Sequence, residues 1–155
     1  MPNGQIVEEY FVVELPETVC AMAITENNEV ILVKQYRHPI AETILELPGG
    51  FIDEGETPET AIARELQEET GYSFSNFQYL ARVAANPGVL NNFTVLYLAT
   101  GGKRSGEQHL DKNEEIEVQL LTIDQVRQML LNNEFKQALH STCLFYGFNK
   151  LDSLG

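Results

Sequence analysis

Hydrophobic and polar positions repeat with different periods along the chain, and those periods sort it into strands and helices. Residues 18–25, TVCAMAIT, are an apolar run short enough for a buried strand. Glu26 to Glu29 is polar and turn-forming. Residues 30–36, VILVKQY, resume a β-branched pattern, so 18–36 reads as a hairpin. Residues 43–47, TILEL, form a short strand that stops at Pro48-Gly49-Gly50. Two later runs, 77–84 and 92–100, read as strands on either side of the Asn86-Pro87-Gly88 turn. Residues 101–114 read as a polar loop, and 115–121 as a strand by their alternation. Residues 5–14, QIVEEYFVVE, have the composition of a strand or an edge hairpin arm, which Leu15-Pro16-Glu17 breaks.

Three segments carry a helical period instead. The first opens at Thr57, a good N-cap, with Pro58 at the first helical position and Gly71 where a left-handed residue ends the last turn. The second opens on Thr122 with Gln125, a capping-box pair, and places Val126, Met129 and Leu130 on one face. The third starts near Glu134, with Phe135, Ala138, Leu139, Cys143 and Tyr146 at helical spacing, predicting an apolar stripe. Strands with helices packed on them predict an α+β or α/β/α architecture.

Composition narrows the class. The 155 residues suit one domain, 1–155, with 43% hydrophobic residues to build a core. No window has the length of apolar sequence a membrane helix needs. The first 17 residues show no basic leader followed by an apolar stretch. Cys20 and Cys143 lie in apolar runs and form no CxxC pair, so both are expected as buried thiols. These features point to a reducing, cytoplasmic setting. Ten basic against 23 acidic residues, a net charge of −13, argue against nucleic-acid binding, which rests on Lys and Arg. A phosphate-bearing substrate still fits if metal ions stand between it and the acids.

The acids are not evenly spread. Residues 49–72, GGFIDEGETPETAIARELQEETGY, hold seven carboxylates and one arginine. At 100° per residue, Glu65, Glu68 and Glu69 fall within an arc of about 100°, with Ile62 and Leu66 on its flank. The three carboxylates therefore sit where the core meets solvent, close enough to repel. Two readings fit: a solvated acidic face, or a site for divalent cations held by oxygen ligands. Arg64 precedes Glu65, and its planar fork suits it to orient a carboxylate.

The spacing discriminates. Gly50, five residues, Glu56, seven residues, Arg64-Glu65-Leu66, one residue, Glu68-Glu69, one residue, Gly71-Tyr72 resembles the Nudix hydrolase signature at every defining position. The resemblance implies an α/β/α sandwich with the motif in a loop–helix–loop. It also implies Mg²⁺- or Mn²⁺-dependent hydrolysis of a nucleoside diphosphate linked to another moiety. Glu65, Glu68 and Glu69 would be metal ligands, Glu56 a supporting one, and Arg64 their orienting group.

Gln35-Tyr36-Arg37, Glu46-Leu47-Pro48-Gly49-Gly50 and Pro87, 16 residues beyond Gly71, resemble the ADP-ribose and ADP-sugar pyrophosphatase branch. That branch implies substrate contacts at Arg37, Glu46, Gly50 and Pro87. It also implies a catalytic glutamate on a late loop, Glu114 first and Glu115 second, and a homodimer to which residues 1–17 contribute. The stretch after Pro87-Gly88 carries no acid, where many branch members have one, so a GDP-sugar stays open beside ADP-ribose. A free nucleoside triphosphate and a non-catalytic nucleotide-sugar sensor remain the other readings. His38, His109 and His140 show no metal-ligand spacing and are read as bystanders.

Overall fold

The computed structural model describes residues 1–110 and 115–153. Its strands are β1 (Thr18–Thr25), β2 (Glu29–Arg37), β3 (Glu42–Glu46), β4 (Gly49–Phe51), β5 (Tyr72–Ser73), β6 (Asn76–Val83), β7 (Thr94–Arg104) and β8 (Ile116–Thr122). The helices are α1 (Pro58–Thr70), α2 (Ile123–Leu131) and α3 (Ala138–Asp152), with a 3₁₀ turn at His38–Ile40.

Strand β1 is the middle of a mixed sheet. It pairs antiparallel with β2 at one end, through Ala23 with Ile31, and with β4 at the other, through Val19 with Gly50. On its second edge it runs parallel to β7, Val19 opposite Val95. Strands β6 and β8 extend the sheet antiparallel to β7 and β2, and β3 lies antiparallel to β2. Because β1 is buried on both faces, its sequence is continuously apolar rather than alternating.

Successive side chains of β1 serve two cores. Cys20, Met22 and Ile24 meet Leu96, Leu98, Val126, Cys143, Leu144 and Phe148 on the side of α2 and α3. Val19, Ala21 and Ala23 meet Ala61, Ile62, Leu66 and Tyr97 on the side of α1. The result is the expected α/β/α sandwich. No described helix is long and apolar enough to cross a membrane.

The predicted helix ends hold where caps are local. Thr57 accepts from the Thr60 N–H, and Gly71 closes α1 at φ 73°. The Thr122–Gln125 capping box is present at α2. Other expectations need correction. Residues 5–14 form no regular strand: among the described residues their ladder is one bridge, Val13 to Leu90. Strand composition alone did not make a strand here. The 101–114 loop is shorter than expected, because β7 continues to Arg104 and pairs with β5. The glycines that suggested a loop instead admit a neighbour, since a Cβ on Gly102 would meet the Phe74 ring at 2.5 Å. Helix α3 starts at Ala138 rather than Glu134, after Asn133 turns the chain at φ 60°, with Gln137 as cap. Its buried stripe is His140, Cys143, Leu144, Gly147 and Phe148, while Tyr146 faces out.

Candidate active site

The acidic face of α1 is organised by one guanidinium. Arg64 Nε and Nη2 donate to the two oxygens of Glu56 at 3.1 and 3.0 Å. Arg64 Nη1 donates to Glu65 Oε1 at 2.9 Å and to Glu68 Oε2 at 3.0 Å. Its Nη2 also donates to the Phe51 carbonyl at 3.0 Å, tying the helix to the end of β4. Three carboxylates thus share one cation, which offsets the repulsion their spacing creates. The bidentate bond from Arg64 holds the Glu56 carboxyl below the ordinary carboxylate range, and the same bond keeps Arg64 firmly protonated. Asp53 approaches the same guanidinium at 3.8 Å and is mostly exposed.

Burial grades across the arc as the helical wheel predicts. Glu69, beside the Ile62–Leu66 flank, is buried; Glu65 is nearly so; Glu68, on the far side, keeps 42% of its side chain exposed. Strand β4 supplies the floor. The Gly49 N–H donates to Glu69 Oε2 at 2.9 Å. Gly50 lies so close to Glu65 that a Cβ there would come within 2.5 Å of Oε1.

The donor set is all oxygen and all carboxylate, which suits a hard divalent cation such as Mg²⁺ or Mn²⁺. Among the described residues the acids do not converge into a cluster that would already enclose a metal ion. Their oxygens point instead at Arg64 and at the Gly49 N–H. The residues fit the group in chemistry and in face, with Glu65, Glu68 and Glu69 on adjoining turns above the β4 backbone.

Arg37 and Glu46 form a second, separate pair. Arg37 Nε donates to Glu46 Oε2 at 2.8 Å, and Nη2 lies at the same distance from that oxygen. Glu46 is 1% exposed while Arg37 is 44% exposed, so the carboxylate lies beneath the arginine rather than in the open. Burial pushes the Glu46 carboxyl above its usual range, outweighing Arg37. Among the described residues its other oxygen, Oε1, is buried without a hydrogen-bond partner.

The sequence missed His140 at this point. The buried imidazole accepts the Leu47 N–H on Nδ1 at 3.2 Å and stands 3.9 Å from Glu46 Oε1. Burial, helped by the nearby Arg37 charge, drives its pKa down to about 3, so the ring is neutral. No local signal could have found it, because its partners lie 93 residues away.

Of the remaining candidates, Glu114 lies outside the described residues. Glu115 lines a cavity of about 690 Å³ with Tyr36, Thr70, Tyr72, Arg104 and Gln108, among others. The cavity adjoins the C-terminal turn of α1 but is not lined by Glu65, Glu68 or Glu69. Gln108 ties its rim together, donating to the carbonyls of Glu69 at 2.7 Å and Ile116 at 3.2 Å. Pro87 sits in the exposed β6–β7 loop, whose hydrogen bonds run to the N-terminal segment. Val13 N–H donates to the Val89 carbonyl at 2.8 Å, and the Tyr10 hydroxyl to the Gly88 carbonyl at 2.9 Å.

Comparison with known proteins adds an independent line. Residues 14–142 match the NUDIX domain family. Over 131 residues the chain is 36% identical to a methanol dehydrogenase activator from Bacillus methanolicus, covering 84% of this chain and 70% of that protein. Over 147 residues it is 30% identical to an ADP-ribose pyrophosphatase of Bacillus subtilis (strain 168), covering 94% and 79%. A crystal structure of an ADP compounds hydrolase superimposes with TM-score 0.81 at 22% identity, over 90% of this chain and 74% of that one, which is a likeness of fold.

Proposed function

The chain belongs to the Nudix family, and on that premise we propose that it hydrolyses the diphosphate bridge of a nucleoside diphosphate linked to a second moiety. ADP-ribose or another nucleotide sugar is the substrate class, and the products are a nucleoside monophosphate and a sugar phosphate. The observation that carries this reading is the Arg64-centred frame, which holds Glu56, Glu65 and Glu68 beside Glu69 on one oxygen-lined face.

Glu65, Glu68 and Glu69 hold the cation, and Glu56 supports them through Arg64. Bound Mg²⁺ or Mn²⁺ would neutralise the diphosphate and acidify a water molecule. Arg64 orients the acids, and the Gly50 backbone lets Glu65 approach. Arg37 offers its half-exposed guanidinium to an anionic substrate, with Glu46 bracing it from below. Glu114, or Glu115 at the cavity rim, takes the proton as general base. Pro87 shapes the loop on which the N-terminal segment rests.

The 155 residues act as one domain in a reducing, cytoplasmic setting, which the two free buried thiols support. A homodimer through residues 1–17 would cover side chains such as Phe11, 84% exposed, and Ile6, 84% exposed.

The test is a panel of ADP-ribose, ADP-sugars, GDP-sugars, nicotinamide dinucleotides and nucleoside triphosphates, each with Mg²⁺ and with Mn²⁺, products read by mass. AMP and ribose 5-phosphate from ADP-ribose are expected. Saturable binding without turnover of any member would instead favour a nucleotide-sugar sensor.

A further inference from the structure

The segment after Glu46 is held residue by residue. Arg37 binds Glu46, His140 takes the Leu47 N–H, and the Ala21 N–H donates to the Pro48 carbonyl at 3.2 Å. The Gly49 N–H goes to Glu69, and Gly50 abuts Glu65. Glu65 and Glu69 belong to α1. His140 reaches the segment from α3, which packs on β1, β6 and β7. The strap is therefore clamped from both helical layers of the sandwich.

His140 is a costly choice for packing alone. A buried imidazole beside a carboxylate and a guanidinium needs its polar atoms satisfied, and an apolar side chain of like volume would avoid that requirement. The ring instead spends Nδ1 on a backbone N–H one residue beyond Glu46 and two residues before the Gly49 N–H that fixes Glu69. The Leu47 peptide thus lies between Glu46, which holds Arg37, and the Pro48–Gly50 backbone that meets Glu69 and Glu65.

We infer that His140 is a positioning residue: its acceptor nitrogen on the Leu47 N–H sets the placement of residues 46–50, and through them that of Glu65, Glu69 and Arg37. The inference rests on the reading above, in which Glu65 and Glu69 hold the cation.

Two variants separate the acceptor from the bulk. His140→Asn keeps an acceptor oxygen the same number of bonds from the backbone as Nδ1, while His140→Leu keeps volume and offers no acceptor. Amide hydrogen exchange on the metal-free protein reads the contact directly, with the Ile31 amide as reference for global opening. In His140→Leu, Leu47 should exchange about tenfold faster relative to Ile31, the loss of one hydrogen bond. In His140→Asn it should stay near wild type. With ADP-ribose as substrate, the Mg²⁺ concentration for half-maximal rate should rise about tenfold in His140→Leu, as for residues that orient metal ligands. His140→Asn should recover most of that rise.

Unchanged Leu47 exchange in His140→Leu would overturn the inference, as would equal shifts in both variants. The exchange measurement needs no turnover. A protein inactive on the whole substrate panel would therefore sink the functional reading while leaving His140 to be decided on its own.

Discussion

Gly50 and Glu65 occupy adjoining space that no side chain at position 50 could share: a Cβ would meet Glu65 Oε1 at 2.5 Å and Cδ at 2.6 Å. The clash falls on the far end of a flexible side chain rather than on backbone, so the fold can accommodate it and the carboxylate cannot stay. Gly50→Ala should keep its thermal midpoint close to wild type and lose about 10²-fold in kcat, the scale of an ångström misplacement. Steady-state kinetics beside a thermal melt check this. A variant that loses stability while keeping kcat would mean that the glycine serves the backbone alone.

Arg64 spreads its donors over Glu56, Glu65, Glu68 and the Phe51 carbonyl. A lysine keeps the charge but cannot reproduce that planar fork. Arg64→Lys should therefore raise the Mg²⁺ requirement and lower kcat by about 10-fold to 10²-fold, the range seen when groups orienting metal ligands are lost. A Mg²⁺ titration of initial rates distinguishes this from simple charge removal, because Arg64→Lys should be no better than Arg64→Ala if geometry is what matters, and clearly better if charge alone does.

The acid limb of stability should carry the signature of His140. Its folded pKa is about 3, against about 6.5 in an unfolded chain. A depressed folded pKa means the unfolded chain takes up the proton first as pH falls. The contribution is whole above about pH 6.5 and is lost progressively toward about pH 3, at up to about 1.4 kcal/mol per pH unit. Glu46, pushed up by burial, acts with the opposite sign just above the usual carboxylate range. His140→Leu should flatten the curve between about pH 6.5 and 4.5, measured by denaturant unfolding at each pH. Parallel curves for wild type and variant would show that the ring titrates normally.

What the sequence made legible was what short-range chemistry decides. Thr57, Pro58 and Gly71 bound α1 because capping is settled within a few residues, and the arc of Glu65, Glu68 and Glu69 follows from helical geometry alone. What stayed hidden depends on packing between distant segments. Glu46 and His140 are 94 residues apart, and neither hints at the other. Cys20 and Cys143, remote in sequence, lie in one core, where contact with Cys143 and burial push the Cys20 thiol up. Residues 5–14 have strand composition, yet among the described residues they make one bridge, Val13 to Leu90; strand propensity depends on the tertiary context and not only on β-branched side chains.

The metal-binding role of the α1 acids is tested by the rate of AMP release from ADP-ribose at saturating Mg²⁺, wild type against Glu68→Gln. Glu68 is 42% exposed, so its replacement leaves the core untouched and the thermal midpoint near wild type. If its carboxylate helps hold the cation at the diphosphate, kcat should fall by about 10³-fold, on the order of removing one electrostatic stabiliser of the transition state. A folded Glu68→Gln protein that releases AMP at the wild-type rate would contradict the assignment of the α1 acids as the metal-binding face.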